Sequence, residues 1–374
     1  MSDKKKILVN TGGGDAPGLN AVIRSATLAA LQRGWEVVGV KHGYRGLLEP
    51  NGLIALDRDA VRGIAHLGGT ILGTANRGDP FHFPTAVAGQ AKPIAVDRSA
   101  ELVERVKSEG FDAFIAIGGD GSLSIARKLL EHGFVRVIGV PKTIDNDVAG
   151  TDVTFGFDTA VQIATEAIDR LHTTTEAHER VMVVEVMGRH AGWIAATAGL
   201  AGGADAILIP EIPFRIERIA EKILQRERRG RRFSIVVAAE GANAIGGDVS
   251  VKSEGDEFRR VPILGGVAER VAAELARLIG KETRSLVLGH LQRGGHPSSM
   301  DRVLALRFGT AAVAAIADGD ESGVVAMRDG DVKLVPFGET TGTRTVPLDA
   351  GIVRSARQLG IAFGDEAESH FATS

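Results

Sequence analysis

The chain has 374 residues, of which 44% are hydrophobic and 24% are charged, so it is long enough for two domains with their own cores. Its formal net charge of −3 gives no basic field for nucleic acid, and the absence of cysteine excludes disulfides, thiol nucleophiles and cysteine-ligated zinc. Charges or glycines interrupt every apolar run and the first strand follows the amino terminus directly, so we expect a cytoplasmic protein with no membrane partner.

Short β-branched runs alternate with amphipathic segments along the first part of the chain. Strand KILVN is followed by helix GLNAVIRSATLAALQRG and strand WEVVGV, and the order returns in FDAFIAIGG, SLSIARKLLEHG and VRVIGVP. Because these strands are continuously apolar, we expect helices on both faces of a parallel sheet. The sequence therefore predicts an α/β doubly wound lobe.

The same rhythm restarts near residue 156, after the polar, glycine-bearing segment 150–156. The helix that begins there carries one apolar stripe, formed by Val161, Ala164, Ile168 and Leu171. Strands RVMVVEVMG, ADAILIP, RFSIVVAAEGA and RSLVLGHLQRGG follow, and the basic stretch QRERRGRRF is interpreted as a solvated helix end before a strand. GVVAMRDGDVKLVPF then predicts a hairpin around Asp-Gly, and DAGIVRSARQLG predicts a last helix. We expect a second α/β lobe.

Polar or glycine-rich clusters follow six of the predicted strands. In chain order they are TGGGDAPG, IGGDGS, PKTIDND, MGRHAG, Glu240 and GHLQRGG. Since ligands of open α/β sheets bind beyond the carboxyl ends of the strands, these clusters predict one active site.

The first two clusters place glycines and an acid at the start of a helix. Backbone N–H groups and the helix dipole would cradle phosphate there, and the Asp120 carboxylate fits if Mg²⁺ lies between it and the phosphate. Neither cluster matches the dinucleotide fingerprint or the Walker pattern, and a plain strand-to-helix turn is the alternative for each by itself.

PKTIDND, residues 141–147, has the composition of a catalytic loop. A sugar kinase needs a carboxylate that takes the proton of the acceptor hydroxyl, and Lys142 could balance charge on the transferred phosphoryl group. Taken alone, the stretch could equally be a solvated turn. Cationic or protonatable side chains at two later strand ends fit a phosphate dianion, although each alone would be read as a surface ion pair: Arg180, Arg189, Arg284, Arg293 and His290.

With these motifs assembled, the sequence resembles the phosphofructokinase family, which phosphorylates fructose 6-phosphate at its 1-hydroxyl. The signatures GGGDAPGLN (12–20), GGDGS (118–122), PKTIDND, VEVMGRHAGW (184–193) and ETRSLVLGHLQRGG (282–295) occur in family order over nearly the whole chain. GTILGTANRGDPF and TFGFDTA look most like the bacterial branch whose members use either ATP or pyrophosphate.

The resemblance implies two doubly wound lobes with the active site in the cleft between them. Residues 1–155 plus about 295–345 would form the nucleotide- and magnesium-binding lobe, and residues 156–294 plus about 346–374 the sugar-phosphate lobe. It further implies a homodimer or homotetramer, since in the family two of the phosphate-binding arginines reach across a subunit interface.

The resemblance also implies individual roles. Asp145 would be the general base, with Asp147, Thr143 and Arg189 at the reaction centre. Asp120 would hold Mg²⁺, and the phosphates of ATP would contact Gly14, Arg77, Gly119, Gly121 and Ser122, with the match at Asn76–Arg77 ambiguous by one residue. The sugar would contact Thr143, Asp145, Met187, Gly188, Arg189 and Glu240. Its 6-phosphate would be clamped by Arg180, Arg284, His290 and Arg293.

Two positions give conflicting indications of the phosphoryl donor. Relatives that use pyrophosphate carry an aspartate at the position of Gly121, where it repels the α-phosphate of ATP, whereas Lys142 is what pyrophosphate users have. Because repulsion discriminates better than attraction, we expect ATP, with pyrophosphate as the alternative. Arg24 matches part of the family's effector site but Leu28 does not, so effector activation is not expected.

Three other classes are alternatives. A nicotinamide dehydrogenase should show Gly-x-Gly-x-x-Gly and a later acid, and neither is clean. Lipid and nicotinamide-dinucleotide kinases share a GGDG element but need no arginine-rich second lobe. A non-catalytic sugar-phosphate sensor would be expected to lose Asp145 or Asp120, and this chain keeps both.

Overall fold

The computed structural model describes residues 4–75, 78–86, 92–247, 251–253 and 263–365. The first part of the chain forms these elements: β1 (Lys6–Thr11), α1 (Leu19–Gln32), β2 (Glu36–Val40), β3 (Leu53–Ala55), β4 (Phe83–Thr85), β5 (Ile94–Val96), α2 (Ser99–Ser108), β6 (Ala113–Gly118), α3 (Asp120–Glu131) and β7 (Arg136–Pro141). The second part continues with α4 (Phe157–Ala177), β8 (Val181–Val186), α5 (Trp193–Ala201), β9 (Ala206–Leu208), α6 (Ile216–Arg228), β10 (Ser234–Ala239), β11 (Val251–Ser253), β12 (Ile263–Leu264), α7 (Val267–Ile279) and β13 (Thr283–Val287). The last elements are α8 (Ser299–Asp318), β14 (Gly323–Arg328), β15 (Asp331–Val335) and α9 (Gly351–Gln358).

The first lobe is built on a seven-stranded sheet with the order β15-β14-β7-β6-β1-β2-β3. Its inner strands β2, β1, β6, β7 and β14 run parallel, and β3 and β15 close the edges in the antiparallel direction. Strand β1 is buried on both faces, because Ile7 and Val9 pack toward α1 and α8 while Leu8 packs toward α2 and α3. The continuous apolar runs of the sequence reflect this double coverage.

The second lobe is built on a four-stranded parallel sheet with the order β13-β8-β10-β9. Helices α4 and α5 cover one face and α6 and α7 the other. The predicted stripe of α4 faces this core, with Val161, Ala164 and Ile168 buried and Leu171 packed against them. Two α/β lobes with parallel sheets confirm the predicted fold class.

The C-terminal part of the chain contributes to both lobes. The predicted Asp-Gly hairpin is present as β14 and β15, with Asp329 and Gly330 at φ of 54° and 82°, and it extends the first sheet. Helix α8 packs along α1, where Gly309 allows close approach because a Cβ there would lie 2.7 Å from the carbonyl oxygen of Val22. Helix α9 and Ala362 join the second lobe beside β9.

Within the described residues, none of the helices has the length and hydropathy that crossing a membrane requires.

Candidate active site

A cleft of about 970 Å³ lies where the carboxyl ends of the two sheets face each other. The first lobe contributes the segments that follow β1, β6 and β7, and the second contributes those that follow β8, β10 and β13. The predicted site residues that line it are Gly14, Gly119, Asp120, Gly121, Ser122, Lys142, Thr143, Asp145, Asp147, Met187, Arg189, Glu240, His290 and Arg293.

The glycine segments after β1 and β6 form one floor of the cleft. The Gly12 amide donates to the carbonyl oxygen of Ile117 over 2.9 Å, which holds the first segment against the end of β6. The second segment leads into α3, whose first residue is Asp120. The free N–H groups at the start of α3 and its dipole favour an anion at this position.

Gly121 faces open space in this floor. A Cβ at this position would meet no heavy atom within 4 Å, whereas a Cβ at Gly119 would lie 3.2 Å from the carbonyl oxygen of Lys142. A side chain at residue 121 would therefore fit the protein, at a position that lines the cleft in the first turn of α3.

Lys142 lies beneath the glycine floor and is only 3% exposed. Its Nζ donates to the carbonyl oxygen of Gly14. Burial lowers its pKa to about 8, with a further lowering by Arg293 that nearby aspartates oppose. The lysine thus fixes the Gly14 segment and places a buried cation under it.

Asp145 is a partly buried acid of the cleft. Its Oδ1 is inaccessible and has no hydrogen-bond partner, while its backbone amide donates to Oγ1 of Thr143 over 3.0 Å. Burial and the neighbouring Asp147 raise its pKa to about 7, although Arg293 and Arg189 act in the opposite direction. A carboxyl group with such a raised pKa in the lining of a cleft has the properties of a general base.

Asp120 and Asp147 both line the cleft, close enough for the charge of one to affect the pKa of the other. Partial burial and the charge of Asp147 raise the pKa of Asp120. The structure shows no cluster of three metal-ligating acids, histidines or cysteines among the residues it describes. Two carboxylates beside a phosphate site fit Mg²⁺, which usually binds one or two carboxylates together with phosphates and water.

The second lobe supplies the opposite wall. Gly188 lies at φ 133°, and a Cβ there would come within 2.7 Å of the carbonyl oxygen of Ala191, so this turn requires glycine. The Met187 amide donates over 2.9 Å to Oε1 of Gln292, a fully buried side chain that joins the segments after β8 and β13. Gln292 was not among the predicted site residues.

Three of the arginines predicted to bind the 6-phosphate do not come together at one place within the single chain. Arg293 donates through Nη1 to the carbonyl oxygen of Asp15 over 2.9 Å, so it reaches the glycine floor. Arg180 and Arg284 do not line the cleft of their own chain, and both approach Glu282, at 3.7 and 2.9 Å. The predicted phosphate contact Arg77 lies outside the described residues.

One part of the cleft escaped the sequence analysis. Beside the glycine floor it is lined by Tyr44, Asp79, His82, Ser124 and Lys128. The Tyr44 hydroxyl donates to the carbonyl oxygen of Ser122 over 2.9 Å, and burial raises the pKa of this phenol. The signal was available, because Tyr44 follows β2 at the same carboxyl edge as the six clusters considered.

Comparisons with known proteins agree with this architecture. The family model described as phosphofructokinase matches residues 6–316. The ATP-dependent 6-phosphofructokinase of Chloroflexus aurantiacus is 51% identical over 366 residues, covering 98% of this chain and 99% of the relative. The pyrophosphate–fructose 6-phosphate 1-phosphotransferase of Amycolatopsis methanolica is 50% identical over 348 residues, covering 91% and 96%.

Among solved structures, phosphofructokinase from Pichia pastoris in the T-state aligns with a TM-score of 0.77 and 32% identity. The alignment covers 91% of this chain but 36% of the yeast chain, so this protein spans about a third of that relative's length.

Proposed function

The chain belongs to the phosphofructokinase family, and we propose that it transfers the γ-phosphoryl group of ATP to the 1-hydroxyl of fructose 6-phosphate, giving fructose 1,6-bisphosphate. It is a kinase of glycolysis, which supports a cytoplasmic site of action. The observation that carries the proposed chemistry is Asp145, a cleft-lining acid with a buried, unpartnered oxygen where the two lobes meet.

Asp145 acts on the acceptor. At neutral pH a substantial fraction of its carboxyl group is ionised, because its pKa is about 7, and the ionised form takes the proton of the 1-hydroxyl as the oxygen attacks phosphorus. Thr143 holds the backbone of this loop through its hydroxyl. Arg189 lines the same part of the cleft and offsets negative charge as it develops on the phosphoryl group.

The glycine floor binds the donor. The segments at Gly14 and at Gly119–Ser122 line the cleft, and the second leads into the start of α3. Their backbone N–H groups and the positive end of the α3 dipole would bind the phosphates. Lys142 keeps the Gly14 segment in place and contributes positive charge below it. The open space at Gly121 leaves room for the α-phosphate of a nucleotide.

Mg²⁺ is the metal that these residues fit. Asp120 would hold it, with Asp147 nearby, because burial and the charge of Asp147 raise the pKa of Asp120, and a cation would offset that repulsion. When bound, the ion neutralises charge on the donor phosphates. The protein's own part is to present two acids at the edge of the phosphate floor.

The sugar lies against the second lobe. Met187 and Glu240 line the cleft where the reacting end would lie, beside the turn at Gly188, and His290 and Arg293 line the part that would take the 6-phosphate. In the chain alone Arg293 contacts Asp15, so we propose that it turns to the sugar phosphate when that anion is present.

We further propose at least a homodimer, in which Arg180 and Arg284 complete the site of the partner. Arg284 lies on β13, an edge strand whose side chains are largely exposed, with 64% of its own side chain accessible. Large apolar side chains are also exposed near this region, with Leu291 at 69% and Met300 at 68%. An open sheet edge beside exposed apolar groups is a surface that a second copy would cover.

Pyrophosphate is the second candidate donor. Lys142 and the 50% identity to a pyrophosphate–fructose 6-phosphate 1-phosphotransferase favour it, and the uncharged Gly121 argues against it.

The test of the mechanism is Asp145→Asn, which keeps the shape of the side chain and removes the base. We expect kcat to fall by about 10²- to 10⁴-fold while calorimetric binding of fructose 6-phosphate is retained. The control is Asp169→Asn on the exposed side of α4, which should leave both quantities unchanged. Near-normal turnover by Asp145→Asn would show that another group takes the proton.

A further inference from the structure

The loop that carries Asp145 has a constrained backbone. Asn146, between the two aspartates, lies at φ 53°, in the left-handed region that non-glycine residues rarely adopt. Its buried side chain accepts at Oδ1 from the Thr154 amide over 3.0 Å, and the Thr154 hydroxyl donates to the carbonyl oxygen of Thr143 over 2.9 Å. These contacts hold the side of the loop that faces its own lobe.

The loop is also held by a distant part of the chain, residues 343–346, which we call the strap. Thr343 forms a bridge with Val148. The Arg344 amide donates to the carbonyl oxygen of Asp147 over 2.8 Å, and its guanidinium Nη1 donates to that of Asn146 over 3.3 Å. One residue therefore binds two consecutive peptide groups of the loop.

The strap is anchored in the second lobe. The Arg344 guanidinium lies 4.3 Å from the centre of the Trp193 ring, and the indole Nε1 donates back to the carbonyl oxygen of Arg344 over 3.0 Å. The Val346 amide donates to Glu211 over 2.7 Å, and the same carboxylate accepts from the Gly192 amide over 3.0 Å. Trp193 begins α5, just after the segment that carries Met187 and Arg189.

We propose that Arg344 is a positioning residue, which through the strap holds the Asn146 and Asp147 peptide groups so that the Asp145 carboxylate faces an acceptor bound on the second lobe. Arg344 is not among the residues that line the cleft. Because it contacts both lobes, it fixes the base relative to the sugar wall. The inference rests on the proposed role of Asp145.

The test is Arg344→Met, which keeps an apolar stem against Trp193 and removes the guanidinium. Misplacing a catalytic group lowers kcat much more than substrate binding, so we expect kcat to fall by about 10- to 100-fold and KM for fructose 6-phosphate to stay within about 2-fold. Arg344→Lys should recover part of the lost kcat, because an ammonium group can still donate to the Asn146 carbonyl.

The matched control is Arg357→Met on α9. Arg357 also stacks on an aromatic ring, that of Phe363 at 4.9 Å, and pairs with Asp365 at 2.7 Å, and it lies on α9, outside the strap. We expect this variant to lower Tm and leave kcat unchanged. If Arg344→Met behaves in the same way, Arg344 has only a structural role and the proposal is overturned.

A second variant keeps the proposal testable if Arg344→Met does not fold. Trp193→Phe keeps a ring beneath the guanidinium and removes the indole N–H, so we expect a smaller fall in kcat at unchanged KM, and unchanged kcat would contradict the proposal. These experiments distinguish an error in the role of Arg344 from an error in the proposed role of Asp145. An inactive Asp145→Asn together with a fully active Arg344→Met would overturn only the positioning role.

Discussion

Replacing Gly121 with aspartate should exclude ATP by charge and not by shape. A Cβ at this position meets no heavy atom within 4 Å, so the new side chain fits the folded protein. Its carboxylate would face the nucleotide phosphates that α3 is expected to bind. For a separation of roughly 5 Å and an effective dielectric constant of about 20, one pair of like charges repels by about 3 kcal/mol, which corresponds to about a 100- to 200-fold loss in kcat/KM for ATP.

The matched variant is Gly121→Asn, which has nearly the same shape and no charge. We expect it to lose less than about 5-fold, because the space is open and only the repulsion is missing. Steady-state rates at saturating fructose 6-phosphate give kcat/KM for ATP, and calorimetry gives the affinity for ADP, which keeps the α-phosphate. The effect of the aspartate should shrink as salt rises, since salt screens accessible charges.

Two outcomes would refute this reasoning. Equal losses in the aspartate and asparagine variants would mean that bulk or backbone geometry at residue 121 matters and charge does not. Unchanged kcat/KM in both would mean that the nucleotide phosphates lie away from Gly121.

Two further predictions follow from the site. Burial and Asp147 raise the pKa of Asp145 to about 7, and the base must be ionised, so kcat/KM for fructose 6-phosphate should fall as the pH drops below about 7. A profile in which kcat/KM falls only near pH 3.8, the ordinary pKa of an aspartate, would contradict this. Arg284→Ala and Asp145→Asn should each be nearly inactive. Mixing the two variants so that their subunits exchange should restore up to about a quarter of wild-type activity, because about half of the dimers would be hybrids and each hybrid would have one intact site of two. No recovery would show that each chain completes its own site.

The sequence predicted the parallel sheets because their strands are buried on both faces and read as apolar runs. It predicted the hairpin at Asp329–Gly330 because this dipeptide suits left-handed backbone. Helix α8 was not recognised, although it packs closely along α1. Its residues Leu304, Ala305 and Phe308 and its small later residues are buried on several sides, so no single apolar stripe identified the helix.

Within the site, the sequence predicted those residues that follow strands in recognisable clusters. It could not predict contacts made over long sequence separations, such as Arg344 with Asn146 or Gln292 with Met187, because no local pattern encodes them. The position of Arg293 against Asp15 also depends on how the two lobes face each other. Separation along the chain, more than residue type, limited the prediction.

The most direct test of the proposed reaction is a pair of initial rates on one purified sample with fructose 6-phosphate and Mg²⁺, one with ATP and one with pyrophosphate as donor. We expect turnover with ATP, because Gly121 is uncharged and leaves open space, so that nothing at this position repels the α-phosphate of a nucleotide. Turnover with pyrophosphate alone would contradict it and would mean that the charge of Lys142 outweighs the missing repulsion.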